Sequence, residues 1–263
     1  MTMQLAAVLT ACVGLAAVAV AQPAINGAHP NTRVYDNFPA STLVVTNSYP
    51  ALVQFSDSNL VGAGFANRHN FRLSSDGGAT NAQFQNSHTF SFFSDLKLSG
   101  TPGASGEIGL QISPWWDPNG DGVLFMNGAT GEVAAFGGRL PFYSFTTSQG
   151  ASYTVGTTVR VGVEYAAHSN TAGDPGQIRY WYGALNSGWI NFDQGNPGED
   201  PPHGLWGILN PAYVGGYMQA PGAQVGAGTL VASFSNNTYV PTPSSMALLG
   251  LAGVVAGRRR RAV

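Results

Sequence analysis

The sequence predicts an all-β protein, a two-sheet antiparallel sandwich flanked by an N-terminal signal helix and a short C-terminal hydrophobic helix. Three observations predict it. Short segments alternate apolar and polar residues with the period of two that sets one face of a strand against a core. Turn residues rich in glycine, asparagine and proline separate these segments. With 35 glycines and few helix formers, nothing in the body reads as a helix longer than a turn or two.

At the N-terminus, Leu5 to Val20 is almost wholly apolar, and Ala19-Val20-Ala21 before Gln22 reads as an A-x-A cleavage site, with Ala19 and Ala21 at the recognised positions. Residues 1–21 are therefore expected to be a signal peptide and 22–240 the sandwich domain, large enough for a real core. The only cysteine, Cys12, falls in the signal. The processed protein would hold no thiol, which excludes disulfides, cysteine-ligated zinc and cysteine nucleophiles.

Within the body, Phe90, Phe92, Leu96 and Leu98 share a face, with Ser91 and Lys97 opposite. Ile108, Leu110 and Ile112 repeat the pattern. So do Val159, Val161, Val163 and Tyr165, with Arg160 and Glu164 outward, then Ile178, Tyr180 and Tyr182, and finally Leu230, Ala232 and Phe234. Asp76-Gly77-Gly78, Asn119-Gly120-Asp121-Gly122, Asn127-Gly128 and Asp174-Pro175-Gly176 supply turns between such runs. No repeat at a fixed period is present, which argues against a propeller or solenoid. About a dozen strands in one domain call for two packed sheets, closed as a sandwich or jelly roll.

This pattern is similar to the concanavalin-like lectin and glucanase jelly rolls. Val34-Tyr35-Asp36 opens the body and Val231 to Tyr239 closes it, as in domains whose terminal strands pair. The resemblance implies a polysaccharide ligand. It departs from the glucanases in lacking their E-x-D-x-x-E strand, since Glu107, Glu132 and Glu164 have no acid two or four residues away.

The C-terminal segment, 241–263, has three parts. Val240, Pro241, Thr242, Pro243 and Ser244 form a small proline-rich motif, an apolar run from Met246 to Gly257 follows, and Arg258, Arg259, Arg260 and Arg261 form a basic stop. The run is short for a permanent span, which needs about 20 apolar residues, and the arginines fit the positive-inside rule. This tail resembles the PEP-CTERM sorting signal of Gram-negative bacteria, Planctomycetes among them, with Thr242 where glutamate is usual. The resemblance implies transient retention in the inner membrane through the C-terminal helix, then release to the cell surface or beyond. The partners implied are the export machinery, a signal peptidase and an exosortase-like processing enzyme.

Setting the four tail arginines aside leaves seven basic residues against thirteen acidic ones, a net of −6. With Lys97 as the only lysine, the body lacks the basic clusters that neutralise nucleic-acid phosphates. Asp117-Pro-Asn119-Gly-Asp121-Gly122 matches the first half of a calcium loop, making Asp117, Asn119 and Asp121 candidate ligands. Calcium is the one cofactor the sequence suggests, and a plain hairpin turn explains the same residues. The stretch Asn191 to Asn210 gathers Asp193, Glu199, Asp200 and His203 among prolines and reads as a functional loop or a solvated acidic one. Among the aromatics, Trp115, Trp116, Trp189 and Trp206 are candidate platforms for sugar rings, whose apolar C–H faces stack on indoles. The scattered histidines form no H-x-x-x-H pair and no G-x-S-x-G elbow is present. The expectation is thus an exported structural or carbohydrate-binding protein of the cell surface or extracellular matrix, with an extracellular polysaccharide hydrolase as the alternative.

Overall fold

A computed structural model describes residues 21–114, 122–137, 140–193, 206–208 and 211–242. The expected signal helix, calcium loop and C-terminal helix, with Trp115, Trp116, Pro243, Ser244 and the four tail arginines, lie outside the described residues. So do Glu199, Asp200 and His203.

Fifteen strands and two short helices follow one another as β1 (Gly27–Asp36), β2 (Thr42–Ser48), β3 (Leu52–Ser58), β4 (Ala66–Ser74), β5 (Thr89–Gly100), β6 (Glu107–Pro114), β7 (Val123–Asn127), β8 (Val133–Phe136), β9 (Tyr143–Ser144), α1 (Phe145–Gln149), β10 (Thr158–Ala166), β11 (Gln177–Tyr182), β12 (Leu185–Asn186), β13 (Ile190–Asn191), β14 (Ala212–Pro221), α2 (Gly222–Val225) and β15 (Thr229–Thr242). They make a two-sheet antiparallel jelly-roll sandwich. Sheet A runs β1-β4-β14-β6-β7-β8-β9, and sheet B runs β12-β11-β10-β5-β15-β3-β2 with β13 on β11. Among the described residues the only helices are these two, because the body's glycines and β-branched residues leave helix propensity low.

The core lies between the sheets, and the expected alternation fills it. Phe90, Phe92, Leu96 and Leu98 of β5 are buried, as are Ile108, Leu110 and Ile112 of β6, Val161, Val163 and Tyr165 of β10, Ile178 and Tyr180 of β11, and Leu230, Ala232 and Phe234 of β15. Phe234 of sheet B meets Phe71 of sheet A edge-on at 5.1 Å between ring centroids and Phe55 at 6.4 Å. Each such ring, fully buried, contributes about 1.5–3 kcal/mol from area alone.

A polar lock crosses the same space. Arg33 has φ +53 at the bulge of β1, which turns its N–H inward to donate to His69 Nδ1 at 2.9 Å. With Nδ1 accepting, the ring proton sits on Nε2, which donates to Asp57 Oδ2 at 2.9 Å. Asn67 Nδ2 donates to the same oxygen at 2.9 Å. Asp57 belongs to β3 in sheet B, whereas His69 and Asn67 belong to β4 in sheet A, so this network ties the sheets together.

One expectation is corrected: the terminal strands do not pair. β1 lies at the edge of sheet A beside β4, whereas β15 is interior to sheet B, both its edges taken by β5 and β3. The chain ends still meet, through Gln22 Nε2 donating to Thr242 O at 2.8 Å. β15 runs through Val240, Pro241 and Thr242, opposite Ser91, Phe90 and Thr89, so the first residues of the proline-rich motif are sheet.

Candidate functional site

Residues on the outer side of sheet A, most of them buried, build the most chemically loaded layer among the described residues. β4 sends Asn67, His69, Phe71 and Leu73 into the core, which leaves Arg68, Asn70 and Arg72 on the outer face. Register then sets them in rows across the sheet. One row runs His29, Arg72, Gly215, Gln111, Val123 and Phe136, and the next runs Asn31, Asn70, Tyr217, Gly109, Phe125 and Ala134. The third holds Tyr35, Arg68, Gln219, Glu107 and Asn127.

Two cation–ring stacks dominate. The Arg68 guanidinium carbon lies 4.5 Å from the Tyr217 ring centroid, and that of Arg72 lies 4.5 Å from the Tyr213 ring. Between them, Asn70 Nδ2 donates to Gln111 Oε1 at 3.2 Å. Two glycines make this layer possible. A Cβ on Gly215 would stand 1.9 Å from the Phe71 carbonyl oxygen, and one on Gly109 would meet the Tyr217 ring at 2.8 Å. Arg68 is 8% exposed and Arg72 5%. Neither they nor Asn70, Gln111 and Tyr217 lack partners. A guanidinium held over an aromatic ring has its position fixed, and its planar donors match the shape of a carboxylate.

Flanking groups extend the layer. His29 Nδ1 donates to the Gly78 carbonyl at 2.7 Å, which leaves Nε2 of the neutral ring as the acceptor. Glu107 is pushed above the usual carboxylate range by burial, against the pull of the Arg68 charge and of hydrogen bonds from Asn127 and Tyr217. The far side is apolar, where Val123, Phe125, Ala134 and Tyr217 form a cluster of their own and Phe125 meets Phe136 edge-on at 5.1 Å.

The residues singled out in the sequence lie elsewhere or out of view. Trp189 is 43% exposed, in the segment just before β13 at the edge of the other sheet. Trp206 is half-buried with φ +49, its carbonyl accepting the Gly176 N–H at 2.7 Å, and no ring contact joins it to Trp189 among the described residues. Asp193 is exposed. Among the described residues no group of three or more histidines and acids could hold a metal ion, and no helix is long and apolar enough to cross a membrane. A cleft lined by 99–105 with Gly128, Val155 and Gly156 carries no charged side chain.

No protein-family model and no curated protein matches the chain. Solved structures do resemble it. An alginate lyase from Corynebacterium sp. is 16% identical over 76% of this chain and 81% of its own, with a TM-score of 0.48. Alginate lyase A1-II', of polysaccharide lyase family 7, is 11% identical over 75% of this chain and 83% of its own, with a TM-score of 0.47. The carbohydrate-binding module CBM66 from Bacillus subtilis is 12% identical over 82% and 96%, with a TM-score of 0.43.

The arginines of β4 were the part that sequence reasoning missed. Their signal was present: Arg68, Asn70 and Arg72 alternate with His69 and Phe71, and Tyr213 and Tyr217 recur at even spacing in a second segment.

Proposed function

We propose that this is an exported protein whose sandwich binds an acidic polysaccharide across the outer face of sheet A. The observation that carries the reading is the pair of stacks, Arg68 on Tyr217 and Arg72 on Tyr213, with Asn70 and Gln111 between them. Planar guanidinium groups bind sugar carboxylates through paired N–H donors, while amides and phenols suit ring hydroxyls. The apolar half of the face, around Phe125 and Phe136, offers a surface for sugar C–H edges. Electrophoresis of the full-length chain through gels containing polygalacturonate, alginate or uncharged dextran tests this. Retardation by the uronates, weakened about tenfold or more in Arg72→Ala, supports it. Equal mobility in all three gels overturns it.

Glu107 supports a second reading, cleavage on the same face, because burial favours the protonated form that a general acid needs. Release of reducing ends by the intact chain, lost in Glu107→Gln, would establish an enzyme. Unsaturated product ends would mark a lyase rather than a hydrolase.

Export and sorting follow from the two chain ends. The tail acts as a PEP-CTERM-like signal, recognised at Val240, Pro241, Thr242, Pro243 and Ser244 and stopped by Arg258 to Arg261. It holds the protein at the inner membrane until an exosortase-like enzyme processes it for the cell surface. Cleavage beyond Thr242 would leave the whole of β15 in its sheet. Mass spectrometry of the protein from its host should find a C-terminus near Pro243. Recovery from the outer surface of a chain ending at Val263 overturns the processing step. Calcium at Asp117, Asn119 and Asp121 remains part of the proposal, tested by whether chelation lowers glycan affinity.

A further inference from the structure

We propose that the outer face of sheet B carries a second, separate shelf that binds an uncharged β-linked glucan chain.

The shelf is a chain of cations and rings on β5, β10 and β11, with Trp189 immediately before β13. Register places Glu164 opposite Arg179 and Ser91, and Gly162 opposite Trp181 and Phe93. The Arg160 guanidinium lies 5.6 Å from the Phe93 ring, which lies 6.3 Å from Trp181. Arg179 then sits 4.9 Å from Trp181 and 4.6 Å from Trp189. Gly162 is the floor of this arrangement. A Cβ there would stand 2.1 Å from Phe93 Cδ1, so the ring lies flat across the glycine and reaches Trp181.

The charges on the shelf are spent internally. Arg179 Nε and Trp181 Nε1 both donate to Glu164 Oε2, the latter at 2.7 Å, which fixes the plane of the indole. Arg160 donates to Asp95 Oδ1 at 3.1 Å, to the Asn236 carbonyl at 2.6 Å and to Thr238 Oγ1 at 3.0 Å. Arg160 and Arg179 each have their own carboxylate, so the two arginines of the shelf offer little net charge to a uronate or a phosphate, and Lys97 lies on the same face beyond Asp95. What it does offer is ring surface in a held orientation, with Trp189 43% exposed at its end. Three strand spacings separate β5 from β13, about 15 Å in all, enough for more than one pyranose ring. Equatorial β-linked glucose presents flat C–H faces that pack on such rings, and its hydroxyls meet the polar groups between them. The ligand class is therefore neutral, in contrast to that proposed for sheet A, and the two shelves lie on opposite sides of the sandwich.

The test uses the full-length chain with hydroxyethylcellulose in a native gel and cellohexaose titrated against tryptophan emission. Retardation and a saturable emission change are expected. Both should weaken at least about tenfold in Trp189→Ala, and in Phe93→Ala, while Arg72→Ala leaves them unchanged. Thermal melts of each variant separate lost binding from lost fold, and Trp189, at the exposed end, is the substitution least able to unfold the sheet. No interaction of the unmodified chain with either probe overturns the proposal, as does binding that survives both substitutions. Trp189-dependent retention on polygalacturonate instead of hydroxyethylcellulose would overturn the neutral class. Trp189-dependent dimerisation with no glycan binding would show that the face serves a second copy of the chain. Loss of uronate binding in Arg72→Ala bears only on sheet A, so failure of either proposal leaves the other standing.

Discussion

His69 Nε2 donates to Asp57 Oδ2 across the sandwich at 2.9 Å, with neither side chain exposed to solvent. The His69 ring also stacks on Phe55 at 5.9 Å between centroids. The contact therefore joins the two sheets by a hydrogen bond to a carboxylate and by ring packing at one point. Asp57→Ala would strand the ring proton of His69 in the core and take one acceptor from the Asn67 amide, which keeps Phe38 O and Ser41 Oγ. Removing one partner of such a buried set costs about 3 kcal/mol or more, read as a lower urea midpoint with an unchanged slope.

The same carboxylate makes stability fall in acid. Burial alone would raise Asp57, but hydrogen bonds from His69, Ser41 and Asn67 together hold it below its usual value. Asp174 is lowered to about 2, first by the Ser169 hydroxyl, and Asp76 is lowered, first by the Ser74 hydroxyl. Depressed carboxyls bind fewer protons in the folded chain than in the unfolded one. Their contribution is complete above the unfolded pKa of about 4 and is lost as pH falls through the folded values. Urea midpoints at pH 7, 5 and 3 should be level between the first two and drop at the third. In Asp57→Asn the drop should be smaller.

Phe234 bridges the sheets by apolar contact alone. It is fully buried and meets both Phe71 and Phe55. Phe234→Ala is expected to cost about 4 kcal/mol, the range for emptying a large ring from a core. Phe234→Leu should recover more than half of that loss in thermal melts.

Arg72→Lys separates charge from geometry on sheet A. Lysine keeps the positive charge but loses the guanidinium contact with the Tyr213 ring and the paired donors. Uronate affinity should drop several-fold relative to the unmodified chain while salt dependence persists. Affinity equal to the unmodified chain would mean that a point charge is enough.

Much of the sandwich was legible because strands with one wet face advertise themselves. Phe90 to Leu98 and Leu230 to Phe234 alternate in sequence and again in burial, and Val161 to Tyr165 do so except at the buried Gly162. β4 alternates in sequence but not in burial: all nine of its residues are buried, and only the fold sets its arginines beside Tyr213 and Tyr217. The end-to-end pairing failed for a related reason. Alternation reports which way a side chain points, not which neighbour a strand takes, and β15 took β3 and β5. Among the aromatics, Trp189 was visible as a candidate, but the partners that give it a role, Arg179, Trp181 and Phe93, come from three other strand positions.

The path of β15 also bears on mechanics. Thr242, its last residue, lies opposite Thr89, and from there β5 accompanies the strand back to Leu230, with a bulge between Ser235 and Thr238, while β3 joins along the far stretch. Tension applied through the C-terminal tail would act along the axis of an interior strand. The hydrogen bonds of two ladders would then share the load in shear, instead of opening one after another as they do when an edge strand is peeled away. A domain carrying a bulky glycan while still held by its tail would therefore resist being pulled apart by drag.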